Sequence, residues 1–150
     1  MRIAHEILEN TTEIDTLYIG GICGNGSVLV EKFKQILTKN SQLKVVSFHI
    51  DLDKEEPLSR TIGLDIDSQE LNKSFVVLVD DVVNSGKTMQ FALMKILESN
   101  PQTIKTVALV DRTHRRYPIK CDFVGLTLST TMKDRVEVEL NENNSYAYLV

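Results

Sequence analysis

The sequence predicts one α/β domain over residues 1–150, an open, mostly parallel, twisted sheet flanked by helices, with antiparallel edge strands near the C-terminus. Three observations predict it. Val76, Val77, Leu78 and Val79 form an unbroken aliphatic run, which suits a strand covered on both faces in the middle of a parallel sheet. Leu17-Tyr18-Ile19, a glycine-rich turn and then a helical pattern follow one another in the order of a parallel half-unit. From Phe123 the pattern changes toward antiparallel additions at the sheet edge: Val136-Glu137-Val138-Glu139-Leu140 alternates cleanly, and Tyr146 to Val150 closes as a last short strand.

The elements follow in chain order. Ile3, Ile7 and Leu8, with Ala4 beside them, fall at helical spacing, so residues 2–10 read as the end of an amphipathic helix carrying His5. The strand at Leu17 leads into Gly20-Gly21-Ile22-Cys23-Gly24-Asn25-Gly26. A second helix follows, its buried face marked by Val28, Leu29, Phe33, Ile36 and Leu37. Lys44 to Ile50 reads as a strand. Residues 51–72 are acidic and interrupted by Pro57 and Gly63, a surface excursion of a length usual for lids and binding loops. Met89, Leu93, Ile96 and Leu97 give a third helix stopped by Asn100-Pro101, and Thr106 to Val110 is another buried strand.

The chemistry concentrates between Phe75 and Met89. Asp80 and Asp81 come where the aliphatic strand should end, at the rim where open α/β sheets bind ligands. After them Val82 and Val83 lead to Asn84-Ser85-Gly86-Lys87-Thr88, which supplies hydroxyls, a permissive backbone and the unpaired amides of a helix start. Carboxylates for sugar hydroxyls beside amides for a phosphate describe a site for a phosphorylated sugar. A strand whose acids merely cap the next helix would need only one of them. A nucleotide P-loop would need a glycine at Asp81, whose charge repels phosphate.

The run Val76–Val79, Asp80-Asp81 and Asn84–Thr88 resemble the phosphoribosyl pyrophosphate (PRPP) signature of type I phosphoribosyltransferases. Arg2-Ile3-Ala4-His5-Glu6-Ile7, Val110-Asp111-Arg112-Thr113-His114-Arg115-Arg116-Tyr117-Pro118-Ile119 and Asp122-Phe123-Val124-Gly125 are similar to the PyrR family, pyrimidine-operon attenuators with uracil phosphoribosyltransferase activity. The resemblance implies that Asp80 and Asp81 hold the ribose hydroxyls and that Val83–Thr88 wrap the 5-phosphate. It further implies that Gly21, Ile22, Cys23, Gly24 and Asn25 cradle pyrophosphate. The base would stack on Val82, Val83 and the chain from Ile119 to Phe123 and Val124. Mg²⁺ would arrive with PRPP, with no dedicated protein cage. Arg112, His114, Arg115 and Arg116, at a strand's end, would serve base recognition or an RNA-facing surface, and an oligomer of at least two chains is implied.

This chain departs from the family in two places. The first loop carries Cys23 and Asn25 where the family has basic residues, and Asp51-Leu52-Asp53-Lys54 stands where it has Tyr-Arg-Asp. One preorganised electrostatic donor is worth about 10²- to 10³-fold in rate, so slow transfer is expected unless Lys54, Arg60 or Lys87 substitutes.

Composition sets the remaining expectations. The net charge of −4 opposes broad electrostatic attachment to nucleic acid, leaving a nucleotide-sensing RNA regulator as the alternative function. Cys23 and Cys121, far apart in sequence, are expected to stay reduced in a cytoplasmic protein. No apolar run is long enough for a membrane span, and no leader is recognisable.

Overall fold

The computed structural model describes residues 2–131 and 133–150. The spacing of Ile3, Ala4 and Ile7 becomes helix α1 (Arg2–Glu9), which buries those three side chains. Strand β1 (Thr16–Ile22) runs into helix α2 (Asn25–Asn40), whose buried face is Gly26, Leu29, Val30, Phe33 and Leu37. Strand β2 (Lys44–Asp51) follows, then a two-residue strand β3 (Gly63–Leu64) and a single 3-10 turn at Ser68–Leu71. Strand β4 (Phe75–Val83), helix α3 (Lys87–Leu97), strand β5 (Thr103–Asp111) and strand β6 (Phe123–Thr127) complete the main layer. Strands β7 (Val136–Leu140) and β8 (Ser145–Leu149) end the chain.

The main sheet has the order β3-β2-β1-β4-β5-β6. Every neighbouring pair in it is parallel except β2 with β3. From β1 the chain builds outward through β2 to β3, then returns to β4 on the other flank. The strand order therefore reverses between β1 and β4, and the crevice outside their carboxyl ends is where such sheets take ligands.

Side chains alternate across the sheet, so each strand feeds two cores. Leu17, Ile19, Val77, Val79 and Val107 pack with α1 and α2 on one face. Ile22, Val76, Leu78 and Ala108 pack with α3, Leu52 and Leu71 on the other. Val76, Val77, Leu78 and Val79 of β4 are fully buried, the outcome expected of a central strand. Each such side chain contributes about 1.5–3 kcal/mol through burial. Among the described residues no helix is long and apolar enough to cross a membrane.

The structure corrects three details. Strand β4 does not end before the acids: Val82 and Val83 still pair with Val110 and Asp111, because β5 runs alongside that far. Phe123 begins a parallel strand beside β5 and not an antiparallel addition. The β7–β8 hairpin is antiparallel as expected but forms its own two-stranded sheet, packed on α2 and β4, with Leu140 reaching the core. The excursion after β2 is also more ordered than its composition suggests, since Leu52 and Leu71 are buried and β3 pairs back onto β2.

Candidate active site

A cleft of about 580 Å³ opens at the carboxyl end of β4, a size within the range of small-molecule sites. Its walls are Asn25 at the start of α2, Lys54 and Glu55 from the segment after β2, Asp80 to Met89, and Val136 to Val138 of the hairpin. The pleat sends the two acids apart. Asp80 shares the face of Val76 and Leu78, toward α3, whereas Asp81 shares the face of Val77 and Val79, toward α2.

Asp80 is only 3% exposed. Lys54 Nζ stands 3.4 Å from its Oδ1, and the Asp81 amide donates to the same oxygen at 3.0 Å. Burial pushes this carboxyl up to about 7; the Asp81 charge adds to the rise and Lys54 opposes it. Asp81 is half-buried. Its Oδ1 accepts from the Val82 amide and its Oδ2 from Asn25 Nδ2, both at 2.8 Å.

The turn Asn84–Thr88 is shaped from behind by the chain after β5. Val83 O accepts from the Arg112 amide, and Ser85 O accepts from the Arg116 and Tyr117 amides. Arg115 donates to Asn84 O at 2.8 Å, and Arg112 donates to Asn84 Oδ1 at 2.9 Å. Gly86 is left-handed, with φ +82°, and a Cβ there would collide with Ile119. Ser85 Oγ accepts from the Lys87 amide at 3.2 Å. With several carbonyls of the turn engaged by amides and guanidinium groups, its local field favours an anion. The first amides of α3, which have no partner within the helix, add to that.

The basic cluster is largely internal. Arg112 is buried, donating also to Thr130 Oγ1 and Thr131 O, and Arg115 pairs with Asp111 at 2.7 Å. His114 contacts Thr130 O, while Arg116 is exposed. Arg112 thus stands behind the turn and outside the main cleft, on a second, shallower hollow.

Other predicted positions fall apart in space. Gly21 and Ile22 lie within β1, and Ile22 is core. Gly24 is a turn residue with φ +88°; Cys23 Sγ donates to Leu52 O at 3.3 Å. Of the residues Gly21–Asn25, Asn25 alone lines the cleft. Ile119 packs on the back of Gly86, Phe123 is buried with α1 and α2, and Val124 packs on the α3 face. Phe123 pairs with Val107, one residue below the Ala108 that pairs with Asp80, and its side chain is turned into the α1–α2 core and away from the cleft. Val136 and Val138 line the cleft together with Val82 and Val83. Their alternation was visible in the sequence, but nothing local says which element a hairpin covers. Glu55 and Glu137 also line the cleft without any sequence signal.

Of the cations weighed as substitutes for the missing loop charge, Arg60 is held by both Asp51 oxygens, at 2.7 and 2.9 Å. Lys87 donates to Glu55 O at 2.6 Å. Lys54 stands inside the cleft. Among the described residues no group of three or more His, Cys, Asp or Glu is placed to hold a metal.

The family model described as the phosphoribosyl transferase domain matches residues 1–143. The chain belongs to the phosphoribosyltransferase family, in its PyrR group. It is 34% identical to the bifunctional protein PyrR of Fusobacterium nucleatum, covering 94% of this chain and 84% of that one. To the bifunctional protein PyrR of Herpetosiphon aurantiacus it is 36% identical, covering 94% and 83%. In fold it resembles a hypoxanthine phosphoribosyltransferase of Trypanosoma cruzi complexed with the product IMP, at a TM-score of 0.74 and 16% identity. The match covers 86% of this chain and 65% of that enzyme.

Proposed function

We propose that the cleft binds Mg²⁺-PRPP or a nucleoside monophosphate and transfers phosphoribose to a uracil-class base. In that reaction the C1–O bond to pyrophosphate breaks, a C1–N bond forms, and the base gives up its N–H proton. The observation that carries this reading is the juxtaposition of Asp80 and Asp81 with the Asn84–Thr88 turn at the point where the strand order reverses. Asp80 and Asp81 accept from the two ribose hydroxyls, the turn and the α3 amides hold the 5-phosphate, and the base lies between Val82 and the hairpin valines. Mg²⁺ comes as part of the substrate, keeping most of its water, as a small hard ion prefers.

Transfer is slow in this proposal, because the cleft offers pyrophosphate no first-loop cation. Lys54, now beside Asp80, is the group that would turn toward the leaving charge. The inward direction of Arg112 and Arg115 favours this reading over an RNA-binding regulator. An assembly of at least two chains is part of the proposal, and a monomer by light scattering would remove that part. Calorimetric titration with Mg²⁺-PRPP and with uridine monophosphate tests the site, and an assay of PRPP consumption over a panel of bases tests the reaction. Failure of both ligands to bind the folded protein would sink the proposal. A salt-sensitive gel shift with pyrimidine leader RNA, without PRPP consumption, would transfer support to the regulator.

A further inference from the structure

Asn25 occupies an unusual position. It is the first residue of α2, it lines the cleft, and its Nδ2 donates both to Asp81 Oδ2 and to Val138 O of β7, each at 2.8 Å. Both partners are acceptors only, so the assignment of nitrogen and oxygen in this carboxamide is forced: only the NH₂ end can serve the two at once. Its two hydrogens are thereby used to tie three separate parts of the chain together, the first loop, the acid pair and the C-terminal hairpin.

Among the described residues, and besides the packing of β7 on α2 and β4, the hairpin has few other anchors. Leu140 packs on the core and Lys32 Nζ donates to Asn141 O at 3.2 Å, both toward the β7–β8 turn. Beyond β7, Tyr146, Tyr148, Leu149 and Val150 are exposed. At the cleft end, where Val136 to Val138 form the wall, Asn25 supplies the side-chain hydrogen bond that crosses from α2 to β7.

We infer that Asn25 is a positioning residue that clamps the hairpin over the cleft and at the same time aims the Asp81 carboxylate. Holding Asp81 and closing the hairpin then become one event, because a single amide group does both. The choice of residue has a chemical consequence: a neutral amide orients Asp81 without neutralising it, and leaves the full carboxylate charge for hydroxyl donors. A cation at the same place would consume part of that charge. The clamp itself is independent of what fills the cleft; its bearing on ligand affinity rests on the proposed function.

The test separates the two. Asn25→Asp keeps the shape and removes both donors, placing a carboxylate against Asp81 and a carbonyl; Asn25→Ala removes the group with no added repulsion and serves should the first variant fail to fold. In ligand-free protein, amide hydrogen exchange of residues 136–140 and 145–149 is compared with that of β1 and β4. The expected result is hairpin exchange faster by about tenfold or more, with β1 and β4 unchanged. Unchanged hairpin exchange, or acceleration spread equally over β1 and β4, overturns the clamp. The second readout is the titration of uridine monophosphate into Asn25→Ala, Asp81→Asn and the double variant. The Asp81 substitution should weaken binding less when Asn25 is already gone; strictly additive losses overturn the coupling. If wild-type protein binds no nucleotide, the proposed function fails while the exchange result still decides the clamp.

Discussion

Replacing Asp80 by Asn removes a carboxylate from a place that resists charge. The side chain is 3% exposed and burial holds its carboxyl near 7, against an ordinary value of 3.8, even with Lys54 3.4 Å away. Between those values the folded chain keeps a proton that the unfolded chain has released, so this group's contribution to stability falls as pH rises through the window. A rise of this size corresponds to about 4 kcal/mol once the pH exceeds 7, a large share of the ~5–15 kcal/mol that holds a domain folded. Asp80→Asn lacks the titration. Urea denaturation of both proteins at intervals from pH 5 to pH 8 should therefore show the variant gaining on the wild type steadily, by a few kcal/mol in total. The same variant should bind uridine monophosphate more weakly by about 1.5–3 kcal/mol, since a charge-assisted bond to a ribose hydroxyl is lost. A site acid that costs stability and supplies affinity is the expected trade-off for function. Stability curves that stay parallel over the whole range would refute the argument, because they would mean that Asp80 ionises normally and is not desolvated.

Two further outcomes are expected. Gly86→Ala places a Cβ on a left-handed residue and against Ile119; a loss of about 2–4 kcal/mol in denaturant unfolding is expected from strain and overpacking together, with weaker phosphate binding, and an unperturbed variant would show that the turn yields freely. Lys54→Gln should lower the transfer rate by about 10²- to 10³-fold while changing nucleotide monophosphate affinity far less, since pyrophosphate is the group it would meet. Equal losses in both would place Lys54 in ground-state binding instead.

How much of this was legible beforehand differs by element. The Asp80-Asp81 pair, the Asn84–Thr88 turn and the central strand are contiguous in sequence, and their chemistry is local: an aliphatic run must be covered, acids must reach a rim, and a glycine must take the left-handed turn. The fold class followed from the same kind of signal, periodicity within single elements. Other positions take their meaning from a partner far along the chain. Ile119, Phe123 and Val124 lie within one short segment, yet Ile119 packs behind Gly86, Phe123 into the α1–α2 core and Val124 on the α3 face. The cluster Arg112 to Arg116 looks like a surface until Asn84 and Asp111 are seen to absorb two of its guanidinium groups.

The first loop shows the division most plainly. Composition established that it carries no cation, and that remains a property of the sequence alone. Only tertiary structure decided that Cys23 turns to Leu52 while Asn25 enters the cleft, so that two neighbouring positions, similar on paper, have different uses. The same holds for the hairpin. Alternation in Val136–Leu140 determines a strand with one apolar face, because side chains on a pleated chain point alternately up and down. What that face covers depends on how the whole chain packs, and hydrogen bonds that span 56 and 113 residues, as those of Asn25 do, leave no local pattern to read.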